Sequence, residues 1–222
     1  KLAGDGASVA FTYTRSVEKA EAIATEIRAA GGRALAIQAD SAEPQAVIDA
    51  VDKTVAEFGG LDILVNNAGI YIGKDFSEHT LADYDQIMAI NVKAVFVAAS
   101  EAVKHLKASG RIITVGSNMA DNAVGPQTTL YTMSKSALQG LTRGMARDLG
   151  PKGINVTLVQ PGPVDTDMNP ADTDFADVLR SKMALAEYGT AQDIAGLVSF
   201  LAGEEGKYIT GSWVTIVGVF NA

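Results

Sequence analysis

Short, almost wholly apolar runs alternate with longer stretches of helical character along most of the 222 residues. The runs are Ser8–Tyr13, Arg33–Gln38, Leu61–Asn66, Arg111–Val115, Ile154–Val159 and Trp213–Val217. Between them lie Val17–Ala30, Pro44–Phe58, Leu81 to about Lys107, Thr129–Leu149, and two shorter segments around Phe175–Leu185 and Ala191–Leu201. A strand that is apolar on both faces must be covered on both. Alternation of such strands with helices predicts an α/β fold, a doubly wound parallel sheet in three layers. Local signals agree. Pro44 opens one helix at its first turn, where a missing N–H costs nothing, and Gly31-Gly32 and Gly150-Pro151 close two others.

There is no internal repeat, low-complexity tract or linker-like change of composition, so residues 1–222 are read as one domain with a sizeable core. Lys and Arg number 18 against 26 Asp and Glu, a net charge of −8. Such a chain lacks the basic face that nucleic acid requires, and no nucleic-acid partner is expected. No apolar run approaches the ~18 residues of a membrane span. Lys1–Gly6 has no signal-peptide pattern and resembles the end of a helix with a glycine stop. A cytoplasmic protein without membrane contact is expected, in keeping with the absence of cysteine. Zero cysteine excludes a disulfide framework, a thiolate zinc site and a cysteine nucleophile. His79 and His105 are too isolated for a metal pair or a serine–histidine–aspartate triad, and no metal is expected.

In open α/β sheets, ligands bind beyond the carboxyl ends of the strands. The polar residues there are Thr14-Arg15-Ser16, Asp40-Ser41, Asn66-Asn67-Ala68-Gly69, Gly116-Ser117-Asn118 and Pro161-Gly162-Pro163. Tyr131 and Lys135, four residues apart near a helix start, share one face. An ammonium beside a phenol lowers its pKa and lets it exchange a proton with a substrate oxygen near neutral pH. The pair alone is also common on ordinary helices. Ser117 lies 14 residues earlier, directly after an apolar strand, where a hydroxyl either orients a substrate carbonyl or caps a turn. Asn67-Ala68-Gly69 reads equally as a simple turn. Asn91 falls inside a helix, a poor place for asparagine that calls for a bend or a bound water.

Together these residues resemble the short-chain dehydrogenases/reductases, a Rossmann-type family. The resemblance rests on N-N-A-G at 66–69, Asn91 in I-N-V, Ser117 in V-G-S, Tyr131-x-x-x-Lys135, and P-G at 161–162 followed by Thr166. It implies that Tyr131 is the general acid in carbonyl reduction. Lys135 would lower the Tyr131 pKa and bind the nicotinamide ribose, and Ser117 would orient the substrate. Asn91 would hold a water linking Lys135 to solvent. Asn67, Ala68 and Gly69 would pack against the adenosine half of the cofactor, and Pro161, Gly162 and Thr166 would meet the nicotinamide. Where dinucleotide folds often place an acidic residue on the ribose, this chain has Thr12 to Ser16 without a carboxylate. Arg15 and Ser16 suit a 2′-phosphate, so NADP(H) is the expected cofactor, although Arg15 also reads as a solvated loop charge. By analogy Asp40, with Ser41 beside it, would bind the adenine amine.

The resemblance has gaps. The family's first strand and its glycine-rich turn are not among these residues, which begin about where the following helix should end. An N-terminal segment preceding them is expected, since the first strand is central in such sheets. Ser117 and Tyr131 stand one residue further apart than is common in the family. Val217 and Val219 replace polar and small residues near the end. Thr166–Met183, with Met168, Phe175, Val178, Leu179 and Met183, would form a mainly apolar lid. Asn122–Leu130, with Val124 and Pro126, would form the opposite wall. A small-molecule carbonyl substrate is implied, a ketone or a 3-oxoacyl group, along with a homo-oligomer, in particular a tetramer. A rival reading comes from G-S-N-M-A-D and Q-P-G-P-V-D-T-D-M-N-P. These resemble a bacterial branch that includes a biofilm-dispersal protein thought to bind cyclic di-GMP, which would make the chain a non-enzymatic nucleotide-binding regulator.

Overall fold

The computed structural model describes residues 1–218 and 220. Six strands form, all parallel to their neighbours: β1 (Val9–Tyr13), β2 (Ala34–Gln38), β3 (Ile63–Asn66), β4 (Arg111–Val115), β5 (Asn155–Pro161) and β6 (Ser212–Ile216). They fall into two sheets, β1-β2 and β3-β4-β5-β6. β1 and β3 each have one strand neighbour, and Val9 of β1 and Val65 of β3 line the same cavity.

Side chains alternate across the larger sheet. Leu64, Ile112 and Val156 pack on one face against helices α4 (Ala94–Ala102) and α5 (Thr129–Leu149). Ile63, Val65, Ile113 and Val159 pack on the other against α7 (Ala191–Ala202). That is the three-layer arrangement expected of strands apolar on both faces. Of the remaining helices, α1 is Val17–Ala29, α2 is Pro44–Phe58, α3 is Leu81–Met88 and α6 is Asp174–Arg180. Pro44 in the first turn and Gly59 in the left-handed region bound α2, and threonine side chains cap α3, α6 and α7. Thr80 with Asp83, and Thr190 with Asp193, form reciprocal capping boxes on α3 and α7.

Three elements depart from the sequence reading, one of them the helix expected around Phe175–Leu185, which ends at Arg180. The helix expected from Leu81 to Lys107 is three pieces: α3, a π turn at Ala89–Lys93, and α4, which ends at Ala102. The π turn inserts one residue into the helical ladder, and it carries Asn91, which is 1% exposed. The strand expected at Ile154–Val159 runs on to Pro161, because Gln160 and Pro161 still align with Thr215 and Ile216 of β6. Leu2–Gly6 forms hydrogen-bonded turns that end on Gly6 at φ +98°. Val217 packs with Leu179, Met183 and Phe220. Val219 lies outside the described residues.

Candidate active site

The carboxyl end of the larger sheet opens into a cavity of about 910 Å3. Ser117, Tyr131 and Lys135 line it, and so do Asn67, Ala68, Gly69, Pro161, Gly162 and Thr166. Residues spread over a hundred positions of sequence therefore face one space.

Tyr131 and Lys135 sit on the first turns of α5. Lys135 is 5% exposed, and its Nζ donates to the Val115 carbonyl at 3.1 Å, at the end of β4. That bond anchors α5 to the strand that leads to Ser117. Burial depresses the Lys135 ammonium to about 8. Burial also pushes the Tyr131 phenol above its ordinary value, the hydrogen bond with Ser117 pulls it back in part, and Tyr71 adds a smaller upward push. Lys135 has no part in this balance. Its Nζ lies 5.6 Å from the centroid of the Tyr131 ring. The direction is thus opposite to the lowering expected from the i, i+4 pair, because the loss of water around the phenolate dominates.

Ser117 ends the extended segment after β4 and caps a short 3-10 turn, Asn118–Ala120. Its Oγ accepts from the Met119 amide at 3.1 Å. Capping and facing the cavity, the two alternatives raised by its sequence position, thus coexist.

Asn91 acts as a brace. Its Oδ1 accepts from the Ile70 amide at 2.8 Å, and its Nδ2 donates to the Ile70 carbonyl and to Ser134 Oγ, both at 3.0 Å. The π turn aims this amide at the turn that follows β3. A side chain on Gly69 would place its Cβ 3.3 Å from Lys135 Nζ and 3.4 Å from Asn91 Oδ1. Glycine lets the turn approach both side chains without crowding them. Asn91→Leu should leave the Ile70 amide and carbonyl without their side-chain partner, at a cost of roughly 2–4 kcal/mol. A fall in the thermal midpoint of several degrees is expected, and an unchanged midpoint counts against the brace.

The other expected residues lie on the segments that follow β1 and β2. Arg15, Ser16 and Asp40 are exposed, Ser41 is half-buried, and none of the four lines the cavity. Ser16 is the residue before α1 and makes no side-chain cap, whereas Asp40 Oδ1 accepts from the Ala42 amide at 2.9 Å and shapes the turn into α2.

Residues 1–218 match the family described as enoyl-(acyl carrier protein) reductase. The chain belongs to the short-chain dehydrogenase/reductase family. A short-chain dehydrogenase from Burkholderia cenocepacia J2315, solved in complex with NADP, is 52% identical and superposes with a TM-score of 0.98, over 100% of this chain and 90% of that one. The cyclic-di-GMP-binding biofilm dispersal mediator protein of Escherichia coli K12 is 44% identical over 98% of this chain and 88% of its own length. A 3-oxoacyl-(acyl-carrier-protein) reductase of Staphylococcus aureus Mu50 is 37% identical over 98% of this chain and 89% of its own.

Within this family member, several contacts had no clear mark in the sequence. The Tyr71 ring stands edge-on to Tyr131, centroids 5.4 Å apart, and its hydroxyl donates to the Gln127 carbonyl at 3.0 Å. Its placement two residues after N-N-A-G was the available hint. Gln127 holds a left-handed backbone, φ +63°, costly for a residue with a side chain. Met168, Phe175, Leu179 and Val124 line the cavity as the expected lid and wall, whereas Val178 and Pro126 do not. Met183 lies behind the lid with Leu179. His105 is less isolated than its sequence position suggested. Its Nε2 lies 3.6 Å from Asp52 Oδ1 and 3.8 Å from Glu101 Oε1.

Proposed function

We propose that this short-chain dehydrogenase/reductase is an NADP(H)-dependent enzyme that reduces a ketone or 3-oxoacyl carbonyl to a secondary alcohol, with Tyr131 as the proton donor. The observation that carries this reading is the convergence of Ser117, Tyr131 and Lys135 on one cavity, with Lys135 Nζ 5.6 Å from the centroid of the Tyr131 ring. Burial keeps the phenol protonated at neutral pH, the state a general acid needs. Ser117 Oγ accepts from the Met119 amide and donates to Asn118 Oδ1 over a long 3.4 Å, a bond that a carbonyl oxygen set between the two hydroxyls would replace. Lys135 holds α5 against β4 and leaves its charge at the inner end of the site. Asn91, placed next to Lys135 through Gly69, positions the turn on which a water linking the lysine to solvent would rest.

The residues fit a dinucleotide. The cavity also runs past Val9, Val65 and Val198, so its volume takes in more than the ligand site, and Gly69 and Gly162 bring bare backbone to its walls. When bound, NADPH supplies the hydride. Asn67, Ala68 and Gly69 would hold its adenosine side, and Pro161, Gly162 and Thr166 its nicotinamide end. Arg15 and Ser16, with Asp40 and Ser41 beyond them, would hold the phosphorylated ribose and adenine. Arg15→Ala should weaken NADPH binding about ten-fold or more, by loss of one charge-assisted contact, and leave NADH binding unchanged. Fluorescence titration of both cofactors checks this, and equal effects on the two refute the 2′-phosphate role.

Met168, Phe175 and Leu179 give the substrate side an apolar character that suits a small ketone or an acyl chain. Residues 1–222 are read as one Rossmann-type domain of a cytoplasmic protein, and among the described residues no helix is long and apolar enough to cross a membrane. Leu81, Tyr84 and Phe96 on α3 and α4, with Met133 on α5, remain exposed, which supports self-association into a homotetramer. A monomeric mass in solution overturns that state.

A second reading, a nucleotide-binding regulator without turnover, is favoured by the 44% identity to a protein named for binding cyclic di-GMP. One experiment separates the two: NADPH consumption over a panel of ketones and 3-oxoacyl thioesters, beside titration with cyclic di-GMP. Turnover supports the reductase. Tight binding of cyclic di-GMP with no turnover supports the regulator.

A further inference from the structure

Gln160 is wholly buried one residue before the end of β5, an uncommon position for a carboxamide. Its polar atoms are nonetheless satisfied. Its Nε2 donates to Asp121 Oδ2 at 2.5 Å, and its Oε1 accepts from Gln139 Nε2 at 2.9 Å. Gln139 Nε2 also donates to Asp121 Oδ1 at 2.6 Å. The three side chains close a ring.

The ring joins the three segments that carry the site. Asp121 ends the 3-10 turn that begins at Ser117. Gln139 lies on α5 four residues beyond Lys135 and eight beyond Tyr131, so it continues their face by one turn. Gln160 adjoins Pro161 and Gly162. A second tie runs parallel to the ring, from Ser136 Oγ to the Ala120 carbonyl at 2.9 Å.

We propose that Asp121 is a positioning residue, whose carboxylate, clasped by Gln139 and Gln160, sets Ser117 at the right distance from Tyr131. The inference rests on the reductase reading. The ring also explains why a carboxylate is required. With both amides oriented as they are, the vertex at 121 must accept twice. With both amides flipped, it must donate twice. Asparagine offers one acceptor and one donor, so every arrangement leaves one like-to-like contact.

The test compares Asp121→Asn and Asp121→Ala with wild type, each also made in a Ser117→Ala background. Displacing Ser117 should lower kcat about ten-fold or more, with NADPH affinity unchanged, and the loss should vanish once Ser117 is absent. Amide hydrogen exchange supplies a readout without turnover. The amides of Ala120, Asp121 and Asn122, bonded to the carbonyls of Ser117 and Asn118, should exchange about ten-fold faster in both variants. Full additivity with Ser117→Ala overturns the proposal, as does unchanged exchange across this turn. If the wild type shows no turnover, the reductase reading fails, and the exchange result alone decides whether Asp121 holds the turn.

Discussion

Tyr131→Phe should reduce carbonyl turnover by about 10²–10⁴-fold, the usual worth of a positioned general acid. Cofactor affinity and thermal midpoint should stay close to wild type. The ring keeps its edge-on contact with Tyr71 and its place against Lys135, since neither uses the hydroxyl. What is lost is the proton that burial holds on the phenol. Ser117 can still hydrogen-bond the carbonyl oxygen but has no comparable proton to give. Following NADPH absorbance with any substrate that the wild type turns over measures the effect directly. Turnover within three-fold of wild type would remove Tyr131 from the chemistry.

Lys135→Met should abolish turnover to a similar degree and yet stabilise the fold. The folded lysine titrates near 8 against its ordinary 10.5. The unfolded chain binds the proton more tightly, so stability rises with pH between those values, and the full penalty of burying the charge is present below about 8. The gap corresponds to about 3 kcal/mol at neutral pH. Loss of the bond to the Val115 carbonyl returns about 1 kcal/mol of it. The net gain should raise the thermal midpoint at pH 7 by roughly 4–8 °C, a gain that shrinks as the pH passes 8. In the wild type, reduction should hold steady through neutral pH and fall as pH rises through about 8, when Lys135 loses its proton. A lower midpoint in Lys135→Met, or a rate that does not decline above pH 8, contradicts this account.

How far the sequence could be read depended on whether a signal was local. Helix α5 was legible from end to end because periodic apolar residues fill it and Gly150-Pro151 stops it. The π turn at Ala89–Lys93 was not, since one inserted residue barely disturbs the apolar pattern that gave a continuous helix. β5 looked shorter than it is because glutamine and proline resemble loop residues, and strand pairing with β6 overrides that composition. Ser117, Tyr131, Lys135 and the Asn67–Gly69 turn could be picked out by type and order, and the cavity gathers them. Arg15 and Asp40 could be placed at strand ends but not joined to that cavity. The direction of the Tyr131 shift was missed because spacing reveals a neighbouring charge and not the loss of water. Tyr71 and Gln127, 56 positions apart, and the Asp121–Gln139–Gln160 ring are contacts between distant segments that no single stretch of sequence announces.

The Tyr71 hydroxyl meets the backbone of residue 127 rather than its side chain. Side-chain replacements at 127 therefore leave the contact with Tyr71 in place, provided the new residue tolerates a left-handed backbone. Replacements at 71 remove it and reshape the cavity wall beside Tyr131. The tie between these segments is thus heritable separately from the side chain at 127, and a lineage can vary that side chain while the Tyr71 wall stays constant.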